Sequence, residues 1–190
     1  MEKTKPDVRS HVLQPTPEQT ERLLEICRRT NIGRNTVIDI WTALSKQRDP
    51  RARNRRDLMR LAFALVDGDD VDVNYGVSSA ASVAAEGSIA KAPDGATRIL
   101  LGRRGGVRMD ETSVTTDPLG SLRFEYPMAM FKPWMEWPRI VSAHRRFHRG
   151  DVGVWYARFE FTREPYVPVD QDAASDVLAR AEAALAGDLS

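Results

Sequence analysis

The chain has 190 residues, 42% of them hydrophobic, and a formal net charge of +1, which is enough length and apolar material for one full domain or two small lobes sharing an interface. No stretch approaches the roughly 20 consecutive apolar residues that span a bilayer, and the polar start Met1–Ser10 lacks the apolar core of a secretory leader, so a soluble, cytoplasmic protein without membrane contact is expected. Cys27 is the single cysteine, which excludes an internal disulfide and a cysteine-rich zinc site and agrees with a reducing compartment.

The small net charge conceals blocks of alternating sign. Residues 1–60 sum to about +6 and residues 61–97 to about −5, after which residues 98–149 give about +5 and residues 150–190 about −5. A fold that brought the two basic blocks together would make a groove suited to a phosphate backbone. Taken singly, each charge run also reads as a solvated face.

Along the chain, helical signals come first. Thr16 can cap, Pro17 suits the first helical position and Gln19 completes a capping-box pattern, so a helix is predicted to start at Thr16. Leu23, Ile26 and Cys27 share one face, and Val37, Ile40, Trp41 and Leu44 repeat at helical spacing beyond Gly33. The pattern leaves open whether Gly33 lies inside one long helix or between two. Next, Arg48, Arg51, Arg53, Arg55, Arg56 and Arg60 run into the apolar stretch Leu58–Val66, predicting a basic loop that enters a helix ending near Asp67-Gly68. Asp67, Asp69, Asp70 and Asp72 lack the ligand spacing and terminal Glu of a calcium hand, and a solvated acidic turn is expected. The small, Ala-rich segment Ser78–Ala92 predicts a weak helix packed closely on a neighbour, and Pro93-Asp94-Gly95 marks a turn.

From Thr97 the period changes to alternation, with strands predicted at Thr97–Leu101, Gly106–Met109, Ser121–Tyr126 and Arg139–Phe147. A hairpin is expected to join Arg139–Arg149 to Val154–Arg163 through Gly150-Asp151-Val152-Gly153. Alternation puts Val141, Ala143 and Phe147 on one side and Trp155, Ala157, Phe159 and Phe161 on the matching side of the partner; these should be core. The opposite side carries His144, Arg146 and His148 with Tyr156 and Arg158, a basic and aromatic face able to hold phosphate and stack a base, or else an ordinary solvated sheet face. A short amphipathic helix, with Val177, Leu178, Ala181 and Leu185 on one stripe, is predicted within Asp170–Ala186. The chain is therefore expected to be α+β.

No catalytic constellation emerges. His144 and His148 are four apart on a predicted strand, which sets their Cα atoms roughly 13 Å apart, too far for one metal ion. Gly102-Arg103-Arg104-Gly105-Gly106 lacks the Lys-Ser/Thr and the helix of a phosphate loop and reads as a β-turn presenting Arg103 and Arg104. Cys27 reads as a small buried residue, and no Ser or Cys lies in a nucleophile elbow. Neither cofactor nor metal is expected, and the candidate functional residues are cationic, polar and aromatic ones suited to nucleic acid.

Two stretches resemble known proteins. TPEQTERLLEICRRTNIGRNTVIDIWTAL, Thr16–Leu44, resembles the N-terminal segment of transposon-encoded TnpB proteins and the related compact type V CRISPR effectors, with Thr16-Pro17-Glu18-Gln19, then Asn31 or Asn35, then Trp41 at the matching positions. RIVSAHRRFHRGDVGVWYARFEF, Arg139–Phe161, is similar to the hairpin that closes that family's wedge domain, with its Trp-Tyr at Trp155-Tyr156. The resemblance implies a β-barrel-like wedge lobe formed by residues 1–15 and 97–170, a helical recognition lobe inserted at residues 16–96, and a C-terminal helix at 171–190. It also implies partners: a guide-type RNA and double-stranded DNA, with sequence reading delegated to base pairing. The family's RuvC nuclease domain has no counterpart here, since Asp170, Asp172, Asp176 and Asp188 are not on its catalytic strand, so cleavage would require a separate RuvC-type nuclease chain.

The same residues resemble a second class. LLEICRRTNIGRNTVIDIW, Leu23–Trp41, looks like a helix-turn-helix with its turn at Asn31, which would make Arg34, Asn35 and Thr36 open a recognition helix facing base edges, as in a DNA-binding regulator or transposase-type protein. A third reading is a protein-interaction factor of phage or mobile-element origin.

Overall fold

Thr16 and Pro17 start α1 (Pro17–Lys46) as the pattern predicts. The Thr16 hydroxyl accepts from the Gln19 N–H at 3.2 Å, and the Gln19 side-chain oxygen accepts from the Thr16 N–H at 3.0 Å, the reciprocal bonds of a capping box. The computed structural model describes residues 7–87, 89, 97–103, 105–132, 135–146 and 153–161. Arg104, Phe147, His148, the hairpin turn Gly150–Val152 and the helix expected at 171–190 lie outside the described residues.

Helix α1 continues unbroken through Asn31 and Gly33 for 30 residues. Gly33 is present for contact, not for a break: a β-carbon there would fall 2.2 Å from the Val73 carbonyl oxygen. The turn at Asn31 that a helix-turn-helix requires is therefore absent. Asn31 instead accepts a hydrogen bond from the Thr97 hydroxyl, tying α1 to the chain as it enters the sheet.

After α1, a 3₁₀ turn (Pro50–Arg53) leads to α2 (Arg55–Phe63). Asn54 caps α2 by accepting from the Arg56 and Asp57 N–H groups at 3.0 and 3.3 Å. The helix stops at Phe63, short of the Asp67-Gly68 end expected. α3 (Val71–Ala85) begins seven residues before the predicted Ser78. The acidic stretch is not merely solvated: Asp70 accepts from the Asp72 and Val73 N–H groups at 2.8 and 3.1 Å, and Asp72 pairs with Arg29 of α1. Carboxylates at a helix N-terminus satisfy its free donors and complement its dipole.

Seven strands form one antiparallel sheet, and with the three helices they make the fold α+β: β1 (Asp7–Gln14), β2 (Ile99–Arg103), β3 (Val107–Met109), β4 (Ser113–Thr116), β5 (Gly120–Phe124), β6 (Ile140–Arg146) and β7 (Val154–Phe161). Their order is β2-β6-β7-β1-β5-β4-β3. The helices are inserted between β1, which is central, and β2, which is an edge. The predicted hairpin forms, with His144 opposite Tyr156 and Val141 opposite Phe159.

Closure into a barrel is not observed, which corrects the barrel-like expectation. The two edge strands are joined by a turn in which the Gly106 N–H donates to the Arg103 carbonyl at 3.0 Å, yet no ladder pairs β2 with β3 among the described residues. β3 offers only three residues, all paired with β4, and a Val107 methyl lies beside Gly102, 2.1 Å from where a β-carbon would be.

Two apolar clusters organise the interior. One joins Leu23, Ile26 and Cys27 of α1 to Ile99, Leu122, Phe124, Val141, Ala143, Trp155, Ala157, Phe159 and Phe161 of the sheet, so the predicted core side of the hairpin is core wherever it is described. The other joins Val37 and Leu44 of α1 to Ala52, Leu58, Ala62, Val77, Ala80, Ala81 and Ala84. One continuous helix thus contributes its first half to the sheet and its second half to the helical layer. Among the described residues, no helix is long and apolar enough to cross a membrane.

Candidate nucleic-acid interface

Side chains alternate across a sheet, and the side of β6 and β7 opposite the core carries Ser142, His144 and Arg146 beside Tyr156, Arg158 and Glu160. β1 extends this face with Ser10 and Val12, paired with Arg158 and Tyr156. β2 extends it with Leu100 and Arg103, paired with Ser142 and Ile140 across a bulge.

The face is held together by short contacts. His144 stacks on Tyr156 with ring centroids 5.8 Å apart, and the Arg146 guanidinium lies over the Tyr156 ring, 4.7 Å from its centroid. The Arg146 Nε donates to His144 Nε2 at 3.0 Å, which makes that nitrogen an acceptor and puts the proton of the neutral ring on Nδ1. That Nδ1 is buried without a hydrogen-bond partner among the described residues. Burial, then the charges of Arg146, Arg98 and Arg158, hold the His144 pKa below its ordinary value. Arg158 pairs with Glu160 at 3.3 Å.

Two residues join this face that sequence reasoning did not select. Arg98, exposed just before β2, lies close enough to influence both His144 and Tyr75. Tyr75 reaches from α3; burial raises its pKa, and Arg98, Arg158 and Arg103 offset the rise while Glu160 adds to it. Arg98 could have been found from strand alternation, which aligns it with Leu100 and not with Ile99. Tyr75 had no sequence signal beyond its interruption of a small-residue helix.

The structure therefore brings together Arg103, His144, Arg146, Tyr156 and Arg158 of the predicted set, with Arg98 and Tyr75 added. Arg51, Arg53, Arg55 and Arg56 are elsewhere. They are exposed and belong to the 3₁₀ turn and the first turn of α2, beyond the C-terminal end of α1. Between Arg29, which pairs near Tyr75's end of α3, and Lys46, α1 advances roughly 25 Å. A single groove joining both basic segments is thus not formed by contact. Arg51 is also engaged locally, donating from Nη2 to Asp49 at 2.6 Å. Arg53 lines a cleft of about 550 Å³ with Trp41 and Arg48.

Arg34 and Asn35 are half-buried in the middle of α1, not at the start of a recognition helix. Burial lowers the Arg34 pKa, and the backbone beside it packs on Gly76, whose β-carbon would meet the Arg34 nitrogen at 3.1 Å. Neither residue therefore opens a helix, as the helix-turn-helix reading would have it. Cys27 is buried, its thiol pushed up to about 12 by burial, so its character is that of a packing residue.

Among the described residues, no group of three or more His, Cys, Asp or Glu side chains is placed to hold a metal ion. What the face offers is fixed positive charge beside a cleft. That cleft, about 470 Å³, lies between α3 and β2 and is lined by Asp69, Val71, Tyr75, Leu100, Gly102 and Arg103 among others. No known protein family, curated protein or solved structure matches the chain.

Proposed function

We propose that the chain binds nucleic acid, and RNA in particular, through the outer face of β2, β6 and β7. The observation that carries this reading is the placement of Arg103, Arg146 and Arg158 on one side of the sheet, with Arg146 over Tyr156, Arg158 paired with Glu160 and Arg103 lining a cleft with Tyr75. Guanidinium groups at fixed positions suit phosphate oxygens, since each can present a planar fork of donors. His144, whose Nε2 accepts from the Arg146 Nε at 3.0 Å, helps to hold that guanidinium in place.

The element order supports a narrower proposal, in which this is a wedge-like lobe with an inserted helical lobe, serving as the nuclease-lacking part of a TnpB-like or type V RNA-guided system. One strand, then helices, then six strands that flank the first is the arrangement the resemblance implies. On this reading the sheet face holds the scaffold of a guide RNA. The exposed Arg53, Arg55 and Arg56, set apart on the helical layer, contact a DNA duplex, and a separate chain supplies any cleavage.

The test is binding of structured RNA by filter retention between 50 and 200 mM salt. Joint replacement of Arg98, Arg103 and Arg146 by Ala is expected to weaken binding across all sequences and to lower the slope of log K against log salt by about 2 to 3, roughly one per lost phosphate contact. Unchanged affinity and slope would remove the interface. Sequencing RNA that co-purifies from the native host tests the narrower proposal: one enriched structured transcript supports a guide scaffold, and its absence counts against one.

A further inference from the structure

We infer that the cleft between α3 and β2 is a pocket for a single unpaired nucleotide of the bound RNA. The inference rests on the RNA-binding reading proposed above and adds to it a site for a base.

Tyr156, the aromatic side chain that its place on the sheet would assign to base stacking, has a ring face covered by the Arg146 guanidinium and lies against His144. Stacking capacity is therefore to be sought elsewhere on the same face. Tyr75 supplies it. It lines the cleft, its charged neighbours are Arg98, Arg103 and Arg158 with Glu160, and no hydrogen bond or ring contact occupies it among the described residues. Val71 and Leu100 add apolar wall, and Val71 is 71% exposed at the cleft mouth, a surface that a bound base would cover.

The cleft also has polarity. Arg103, exposed at the rim, belongs to the same cationic surface as Arg98 and Arg158 and suits a phosphate. Asp69 on the opposite wall repels phosphate and offers acceptors to the N–H groups of a base edge. Both groups favour one orientation, base inward and backbone along the arginines. A volume of about 470 Å³ falls within the range of about 300–1,000 Å³ typical of small-ligand clefts. A nucleotide is favoured over a free metabolite because the arginines continue past the rim along the sheet, where a polymer's next phosphates would follow.

The experiment uses the full chain and a 12-nucleotide oligouridine carrying 5-iodouridine, cross-linked by irradiation and mapped by mass spectrometry. The expected adduct is on Tyr75. Tyr75→Ala is expected to weaken affinity by about 5- to 100-fold, the usual effect of removing one stacking platform, with the salt slope unchanged because no charge is lost, and Tyr75→Phe is expected to retain affinity within about twofold. If the wild-type chain binds the RNA while adducts map away from the cleft and Tyr75→Ala binds like wild type, the pocket is overturned and the broader reading stands. If the wild-type chain binds no RNA, both are overturned. The adduct map needs no substitution, so a misfolded variant does not decide the outcome.

Discussion

Gly33 of α1 and Gly76 of α3 face each other where the two helices cross. A β-carbon on Gly33 would fall 2.2 Å from the Val73 carbonyl oxygen, and one on Gly76 would fall 2.1 Å from the Thr30 carbonyl oxygen. Each glycine admits the other helix's backbone. Gly33→Ala would gain about 1 kcal/mol of helix propensity, but the obstacle is backbone, which cannot rotate aside as a side chain does. Overpacking of this kind costs about 1–3 kcal/mol or more. Urea denaturation should show that Gly33→Ala and Gly76→Ala each lower the unfolding midpoint. A raised midpoint for either would refute the close crossing.

Gln19 does more than cap. Its side-chain nitrogen donates to the carbonyls of Leu119 and Ser121 at 3.0 and 2.9 Å, fastening the start of α1 to the β4–β5 turn while its oxygen serves the Thr16 N–H. Thr16→Ala removes one capping acceptor, at a cost of about 1 kcal/mol. Gln19→Ala removes three hydrogen bonds and should cost about 1–3 kcal/mol. Equilibrium unfolding of the two variants should rank them in that order, and the reverse ranking would mean that the long-range bonds contribute nothing.

The histidines give stability a pH dependence of definite sign. Burial, then Arg146, Arg98 and Arg158, depress the His144 pKa, while burial and then Arg9 depress that of His11, whose ring lies against Phe124. The unfolded chain takes up a proton near the ordinary value of about 6.5, and the folded chain does so only at lower pH. Between those points the unfolded state binds more protons, so stability rises with pH there. It should be complete above about pH 6.5 and decline as the solution is acidified toward pH 5. In His144→Gln, where the amide oxygen can still accept from Arg146, the loss from pH 7 to pH 5 should be smaller. Urea titrations at both values check this, and identical losses in the two proteins would contradict it.

Features built from neighbouring residues were legible in the sequence. The start of α1 is written in Thr16, Pro17 and Gln19, and the hairpin's core side follows from alternation in Val141, Ala143, Trp155, Ala157, Phe159 and Phe161. Features that depend on distant partners were not. Gly33 reads equally as a breaker or a contact until Gly76 is seen against it. Asp70 and Asp72 read as a solvated turn because their roles, capping α3 and pairing with Arg29, need the helix to exist first. β4 was missed since Ser113 and Thr116 are buried polar residues, so its four residues show no apolar alternation. The candidate interface divided in the same way: His144, Arg146, Tyr156 and Arg158 came from one hairpin, whereas Arg98 and Tyr75 join them only through the pairing of β2 with β6 and the approach of α3.

The shared helix has a mechanical corollary. Because α1 is embedded in both apolar layers, neither layer can be excised with its interior intact, and any swivelling of one against the other would have to bend or pull out a 30-residue rod. The α3–β2 cleft thus lies between two layers that one continuous helix ties together.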